Sequence, residues 1–328
     1  MGEIAHRRFS DLPEYLERGD CAVLNRTRVR KARLLGRKEQ SGGVVELLLL
    51  SRAGESWQAL ARPARRLRPG TRIVFGSGEL AAEVVEKEEG GRIRARLYPP
   101  EPERQEELIE RLGEVPLPPY IREKLEDPER YQTVYAAETG SAAAPTAGLH
   151  FETPLLDALR SKGVELAYIR LDVGLDTFRP IAVEDIEGHR MHSEEVRVDA
   201  GACEAVNAAR RRGGRVLAVG TTVVRALETA AGEARLSPYH GPTDLFIMPG
   251  HRFRAVDLLL TNFHMPRSSL LVLVSAFAGR ELVLEAYRRA VEERYRFLSF
   301  GDACLFLHPR GWKDPSGLAD MPKERKQG

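Results

Sequence analysis

VLAVGTTVVRALE, Val216 to Glu228, is the stretch whose reading decides the fold class. A buried-looking apolar strand runs into Gly220, and a helix opens directly behind it on Thr221 and Thr222. A strand that hands the chain straight to a helix is the building unit of α/β sheets. The turn lies at the strand's C-terminal end, where open α/β sheets bind their ligands. The first amides of a helix have no carbonyl one turn before them. With the Thr221 and Thr222 hydroxyls they can hold a carboxylate, a phosphate or ribose hydroxyls, and Arg225, one turn further on, can pair with an anion. The plainer reading is a threonine-capped helix. The glycine pattern does not match a dinucleotide fingerprint.

The same alternation extends outward. EPERQEELIERLGE reads as a helix stopped before PLPPY, and TPLLDALRSKG as a helix capped by Thr153 and ended by Gly163. VELAYIRLDVG is a strand, AGACEAVNAARRRGG an amphipathic helix, and DLLLTNFH a strand with a loop. SSLLVLVSAFAG and ELVLEAYRRAVEERY read as helices, with Ser268 or Ser269 as a cap, and DACLFL closes as a strand. Strands alternating with helices predict a largely parallel sheet. Near the start, residues 9–25 read as a short helix, a turn at Gly19-Asp20 and a strand AVLN. From Val29 to Pro99 the texture changes. KARLLGR, VVELLLL, WQALARP, TRIVFG, LAAEVVEKE and RIRARLY are short β-like runs, with turn signals at Gly42-Gly43, Pro69-Gly70 and Gly90-Gly91. They predict a small barrel or sandwich.

The 328 residues suffice for two domains of ordinary size, and an apolar share of 42% allows a sizeable core. A net charge of +2 excludes a histone-like polycation but leaves room for local basic patches. There is no apolar run of about 18 residues, so no membrane span is expected. The start, MGEIAHRRFSDL, has no apolar signal core, which predicts a cytoplasmic protein. Cys21, Cys203 and Cys304 are too dispersed for a disulfide framework or a zinc ribbon.

Further stretches carry candidate chemistry. GHRMHSEE brings together His189, His192, Glu194 and Glu195, which can do acid–base work near the ~6.5 of free imidazole. Its spacing lacks the helical geometry of a zinc motif, and a solvated loop is the plainer reading. TNFHMPRSSL presents Asn262 and His264 after an apolar strand. APTAGLHF, Ala144 to Phe151, presents Thr146 and His150 on a segment shaped by Pro145 and Gly148. Asn25–Lys38 holds seven Arg or Lys and no acid, and Arg62–Arg72 holds five Arg and no acid. Such runs are usually solvated faces, but two beside a small β-module suggest contact with a phosphate backbone.

Taken in series, the motifs resemble a known family. PLPPYI (Pro116–Ile121), RYQTVYA (Arg130–Ala136), GSAAAPTAGLHF (Gly140–Phe151), GTTVVRALE, TNFHMPRSSLL, LVSAFAG and YRFLSFGDA (Tyr295–Ala303) occur in that order. Together they resemble the S-adenosylmethionine:tRNA ribosyltransferase-isomerases of queuosine biosynthesis, from about Phe9 to Leu307. The resemblance implies an α/β fold, with a mixed, largely parallel sheet domain (residues 1–28 plus 100–328) and an inserted small antiparallel β-barrel over 29–99. It implies transfer and isomerisation of the ribosyl part of S-adenosylmethionine onto 7-aminomethyl-7-deazaguanine at the tRNA wobble position. The products are epoxyqueuosine-tRNA, adenine and methionine. S-adenosylmethionine is a co-substrate, and no cofactor or metal is implied.

On that resemblance, His150, His192, Glu194 and His264 are the candidates for proton transfer. Gly220, Thr221, Thr222 and Arg225 are candidates for the donor's carboxylate or ribose. Thr146 faces the substrate, Asn262 a sugar hydroxyl or base edge, and Asp302 an exocyclic amine. Arg28, Arg33, Arg65 and Arg66 are candidates for the anticodon-arm phosphates. The chain is expected to act as a monomer on tRNA carrying the deazaguanine, with no membrane partner.

The chain also departs from the family pattern. Relatives begin with a further segment of a few tens of residues, so one sheet edge is expected to be incomplete. The basic stretch NRTRVRKARL carries Arg26, Arg30 and Lys31 in place of less basic residues. LDVGLDTF has Asp172 where a His is usual and Asp176 where a Gly is usual, a change expected to alter the pocket. These departures motivate an alternative, a non-catalytic tRNA-binding relative. The α/β texture with its donor-like turn motivates another, an S-adenosylmethionine-dependent methyltransferase.

Overall fold

The computed structural model of the chain describes residues 3–121, 125–174, 181, 186–189, 191, 193–233 and 235–308. His192, Asp176 and the polar tail MPKERKQG lie outside them. A 3-10 turn over Phe9–Tyr15 leads into β1 (Cys21–Asn25) and β2 (Thr27–Val29). Six strands follow, β3 (Arg33–Lys38), β4 (Val44–Ala53), β5 (Ser56–Arg62), β6 (Arg72–Phe75), β7 (Leu80–Lys87) and β8 (Arg92–Tyr98). After α1 (Pro102–Leu112) come β9 (Glu138–Ser141), α2 (Thr153–Lys162), β10 (Glu165–Leu171), β11 (Glu194–Val198), α3 (Ala200–Arg211), β12 (Val216–Val219) and α4 (Thr221–Ala230). The chain finishes with β13 (Tyr239–Thr243), β14 (Leu258–Asn262), α5 (Ser269–Ala278), α6 (Arg280–Glu292) and β15 (Ala303–Leu307).

β1 is the organising strand. CAVLN is buried along its whole length, as befits a parallel strand covered on both faces. It pairs in parallel with β10 on one side and β12 on the other, and β12 pairs in parallel with β14. Antiparallel strands finish both edges, giving the seven-strand order β13-β11-β10-β1-β12-β14-β15. Side chains alternate across the sheet because successive residues point to opposite faces. Cys21, Val23, Val216 and Ala218 join one core with α3, α4 and α5. Ala22, Leu24, Leu217 and Val219 join the other, with Leu12, Leu16, Phe151, Leu156 and Leu159.

β3 to β8 close into an antiparallel barrel in the order β3-β4-β5-β8-β7-β6. Its alternating positions, among them Leu34, Leu47, Trp57, Ile73, Val84 and Ile93, form a separate core. α1 adds Leu108 and Ile109 to that core, and the Trp57 Nε1 donates to Gln105 Oε1 at 3.2 Å. The barrel leaves and re-enters the sheet domain through β2 and β9, which pair with each other in parallel. The molecule is therefore an α/β fold with an inserted barrel. One local reading needs correcting. Thr153 is the first helical residue of α2, and Glu152 stands at the cap position without a side-chain bond. Ser268 does cap α5, accepting from Leu271 N.

Candidate active site

The C-terminal ends of β12 and β14 open into a cleft with about 680 Å³ of empty space. β12 is followed by Gly220, whose φ of +96° and ψ of 151° suit a residue without a Cβ. The Gly220 amide still follows the sheet, donating to Leu260 O at 2.7 Å, while its carbonyl accepts from Val223 N and Val224 N. The backbone is thereby delivered into α4 within one residue. Thr221 and Thr222 occupy its first turn and line the cleft. The Thr222 hydroxyl is buried and, among the described residues, has no hydrogen-bond partner. An unpaired buried hydroxyl costs free energy until something satisfies it.

β14 supplies the adjoining wall. Thr261, Asn262 and His264 all line the cleft. The Thr261 Oγ1 and His264 Nε2 lie 2.9 Å apart, and the His264 amide donates to Tyr287 Oη at 2.9 Å. Burial lowers the His264 imidazole to about 4, so it is neutral at pH 7. The loop before α2 completes the site. Residues Thr146–His150 form a 3-10 turn, in which Gly148 fits directly under Tyr135, and a Cβ there would run into the tyrosine hydroxyl. Thr146 Oγ1 donates to Asn262 Oδ1 at 3.0 Å, and Asn262 Nδ2 lies 2.9 Å from His150 Nε2. The ring of Phe9 stacks on His150 at 4.9 Å and 22°. Burial lowers the His150 imidazole; Asp302 opposes that shift and Arg296 adds to it.

Thr146, Gly220, Thr221, Thr222, Asn262 and His264 thus share one cleft, with His150 bonded to its wall. Other candidates do not line it. Arg225 is 4% exposed and pairs with Glu194, itself 1% exposed. Arg225 also donates to Leu245 O at 3.0 Å and Thr243 O at 3.2 Å, while Glu194 accepts from Gly174 N at 3.0 Å. The pair ties α4 to β11 and β13 behind the α4 N-terminus. Within GHRMHSEE the two glutamates part, because Glu194 and Glu195 are successive residues of a strand. Glu194 turns inward, while Glu195 turns out to within 3.4 Å of His240 Nε2. His189 packs against Phe246. Asp302 accepts from Arg296 N at 2.7 Å and Arg296 Nη2 at 3.2 Å. Asp172 accepts from Thr27 Oγ1 at 2.9 Å and from Arg170 at 2.7 and 3.0 Å. The Asp172 carboxylate is therefore bonded to an arginine of β10 and to the first residue of β2.

Tyr120 and Ser299 are among the cleft residues that the sequence did not single out. Tyr120 Oη and Ser299 Oγ lie 2.7 Å apart and line the cleft. They belong to PLPPYI and YRFLSFGDA, where nothing local distinguishes them from turn residues. On the barrel, Arg65 and Arg66 are exposed, and their carbonyls accept from Lys87 Nζ at 3.4 Å and Lys38 Nζ at 3.2 Å. Arg28 pairs with Glu129 at 2.5 Å, and Arg33 with Glu46 at 2.8 Å and Glu114 at 3.2 Å. Among the described residues no three of His, Cys, Asp and Glu come together as metal ligands. No helix among them is long and apolar enough to cross a membrane.

The family model described as queuosine biosynthesis protein matches residues 1–306. An S-adenosylmethionine:tRNA ribosyltransferase-isomerase of Symbiobacterium thermophilum is 57% identical over 93% of this chain and 90% of its own length. One of Acetivibrio thermocellus is 54% identical over 93% and 89%. A crystal structure of an S-adenosylmethionine tRNA ribosyltransferase from Thermotoga maritima is 38% identical, with a TM-score of 0.50 over 93% of this chain and 88% of that one.

Proposed function

Because the chain belongs to the queuosine biosynthesis protein family, we propose that its cleft binds S-adenosylmethionine and presents the ribosyl part to 7-aminomethyl-7-deazaguanine at the tRNA wobble position. The ribosyl moiety is transferred and isomerised, giving epoxyqueuosine-tRNA with release of adenine and methionine. The observation that carries this reading is the convergence on one cleft of His264 and the α4 N-terminus, whose Thr222 hydroxyl has no partner among the described residues.

The donor's sulfonium acidifies the carbon beside it, so a neutral imidazole can serve as proton acceptor. His264 meets that requirement, and Asn262, two residues before it, is bonded to His150. Thr221 and Thr222, with the first amides of α4, suit the donor's carboxylate or ribose hydroxyls. Arg225 and Glu194 support the helix from behind. The exposed Arg65 and Arg66 suit the phosphates of the anticodon arm better than the paired Arg28 and Arg33. The protein works as a monomer in the cytoplasm and consumes S-adenosylmethionine as a substrate.

The test is an assay of purified protein with S-adenosylmethionine and tRNA carrying the deazaguanine. Digested nucleosides are read by mass spectrometry and free adenine by chromatography. Epoxyqueuosine with matching adenine is expected. Release of S-adenosylhomocysteine, or binding of both substrates without product, overturns the reading in favour of a methyltransferase or a non-catalytic tRNA binder. In the same assay Thr222→Val is expected to raise KM for the donor about 3- to 10-fold, the worth of one neutral hydrogen bond.

A further inference from the structure

We propose that Asn262 is a positioning residue that holds the imidazole of His150 in one tautomer, with the hydrogen on Nδ1 and Nε2 kept as an acceptor. The argument begins with the backbone. Asn262 is the last residue of β14, is 3% exposed, and is registered against Ala303 of β15. Its amide is oriented by Thr146, whose hydroxyl donates to Oδ1 at 3.0 Å. With the oxygen engaged, Nδ2 is the atom turned to His150 Nε2, 2.9 Å away. An amide nitrogen only donates, so Nε2 must offer its lone pair, and in a neutral imidazole the hydrogen then sits on Nδ1. Phe9, stacked on the ring face, keeps the imidazole from turning out of this bond.

The arrangement also bears on charge. Protonated His150 would set an N–H against the Asn262 N–H, so the bond favours the neutral ring. The charged groups facing His150 are Asp302 and Arg296, which are bonded to each other. A three-residue chain, Thr146 to Asn262 to His150, thus ties the loop before α2 to the end of β14 and sets which nitrogen carries a proton.

The inference rests on reading His150 as a proton-transfer group, but the tautomer can be measured without turnover. Nitrogen NMR of the protein labelled on its 8 histidines, with the signal assigned by its loss in His150→Gln, is expected to show the Nδ1–H form. An Nε2–H form overturns the proposal whether or not the enzyme reaction is as described. Asn262→Asp places an acceptor against Nε2. The His150 titration is then expected to move up by about one to three pH units, and the acid limb of kcat with it. An unmoved titration in a variant that melts like wild type also overturns it.

Discussion

At the scale of residues, the pair Arg225–Glu194 shows where chemistry and support part company. Both side chains belong to residue types that act in catalysis, and Arg225 lies one turn after the cleft residues Thr221 and Thr222. Their partners decide otherwise, because the guanidinium is spent on a carboxylate and two backbone carbonyls. A buried charge stripped of its partner is far costlier than the pair is valuable. Arg225→Ala is therefore expected to cost about 3–5 kcal/mol of stability in urea unfolding. The double change Arg225→Met with Glu194→Leu should lie closer to wild type than Arg225→Ala does. If Arg225→Ala melts normally but loses donor binding, the arginine contacts the substrate after all. A single sequence could not reveal this pairing, since the two residues are 31 positions apart and each is locally plausible as a ligand. His264 and Asn262 were legible because they close an apolar strand, where an α/β sheet presents its ligand groups.

At the scale of elements, the six barrel strands were readable because glycine-marked turns punctuate clean alternation. β2, β9, β11 and β13 were not. ETGS and YHGPT are short and polar, and they become strands only by pairing with a distant neighbour. For EEVRV the two leading glutamates concealed an alternation that the three buried positions make plain. The barrel also separates two kinds of basic residue. Arg65→Gln with Arg66→Gln should weaken tRNA binding and reduce the slope of log K against log salt by about 1 to 2. Arg28→Gln with Arg33→Gln breaks existing ion pairs, and should leave that slope nearly unchanged. Equal changes in both double variants would move the tRNA surface toward β2 and β3.

At the scale of the whole molecule, the cleft histidines couple stability to pH. His264 titrates near 4 when folded and near ~6.5 when unfolded, so between those values the unfolded chain holds the extra proton. Its contribution is complete above ~6.5 and is lost as pH falls toward the folded value. Melting temperature should drop through that window, and His264→Gln should flatten the drop. An equally steep drop in the variant would assign it to other groups. The topology has a further consequence, one of time. β1, the hub of the sheet, is synthesised well before its neighbours, since Cys21 pairs with Glu165 and Val216. At the ~5–20 residues per second of synthesis, the hub waits roughly ten to forty seconds for its neighbours. The barrel, whose contacts are local, can close during that wait. During that interval the nascent chain therefore carries a finished module next to an unsheltered apolar strand.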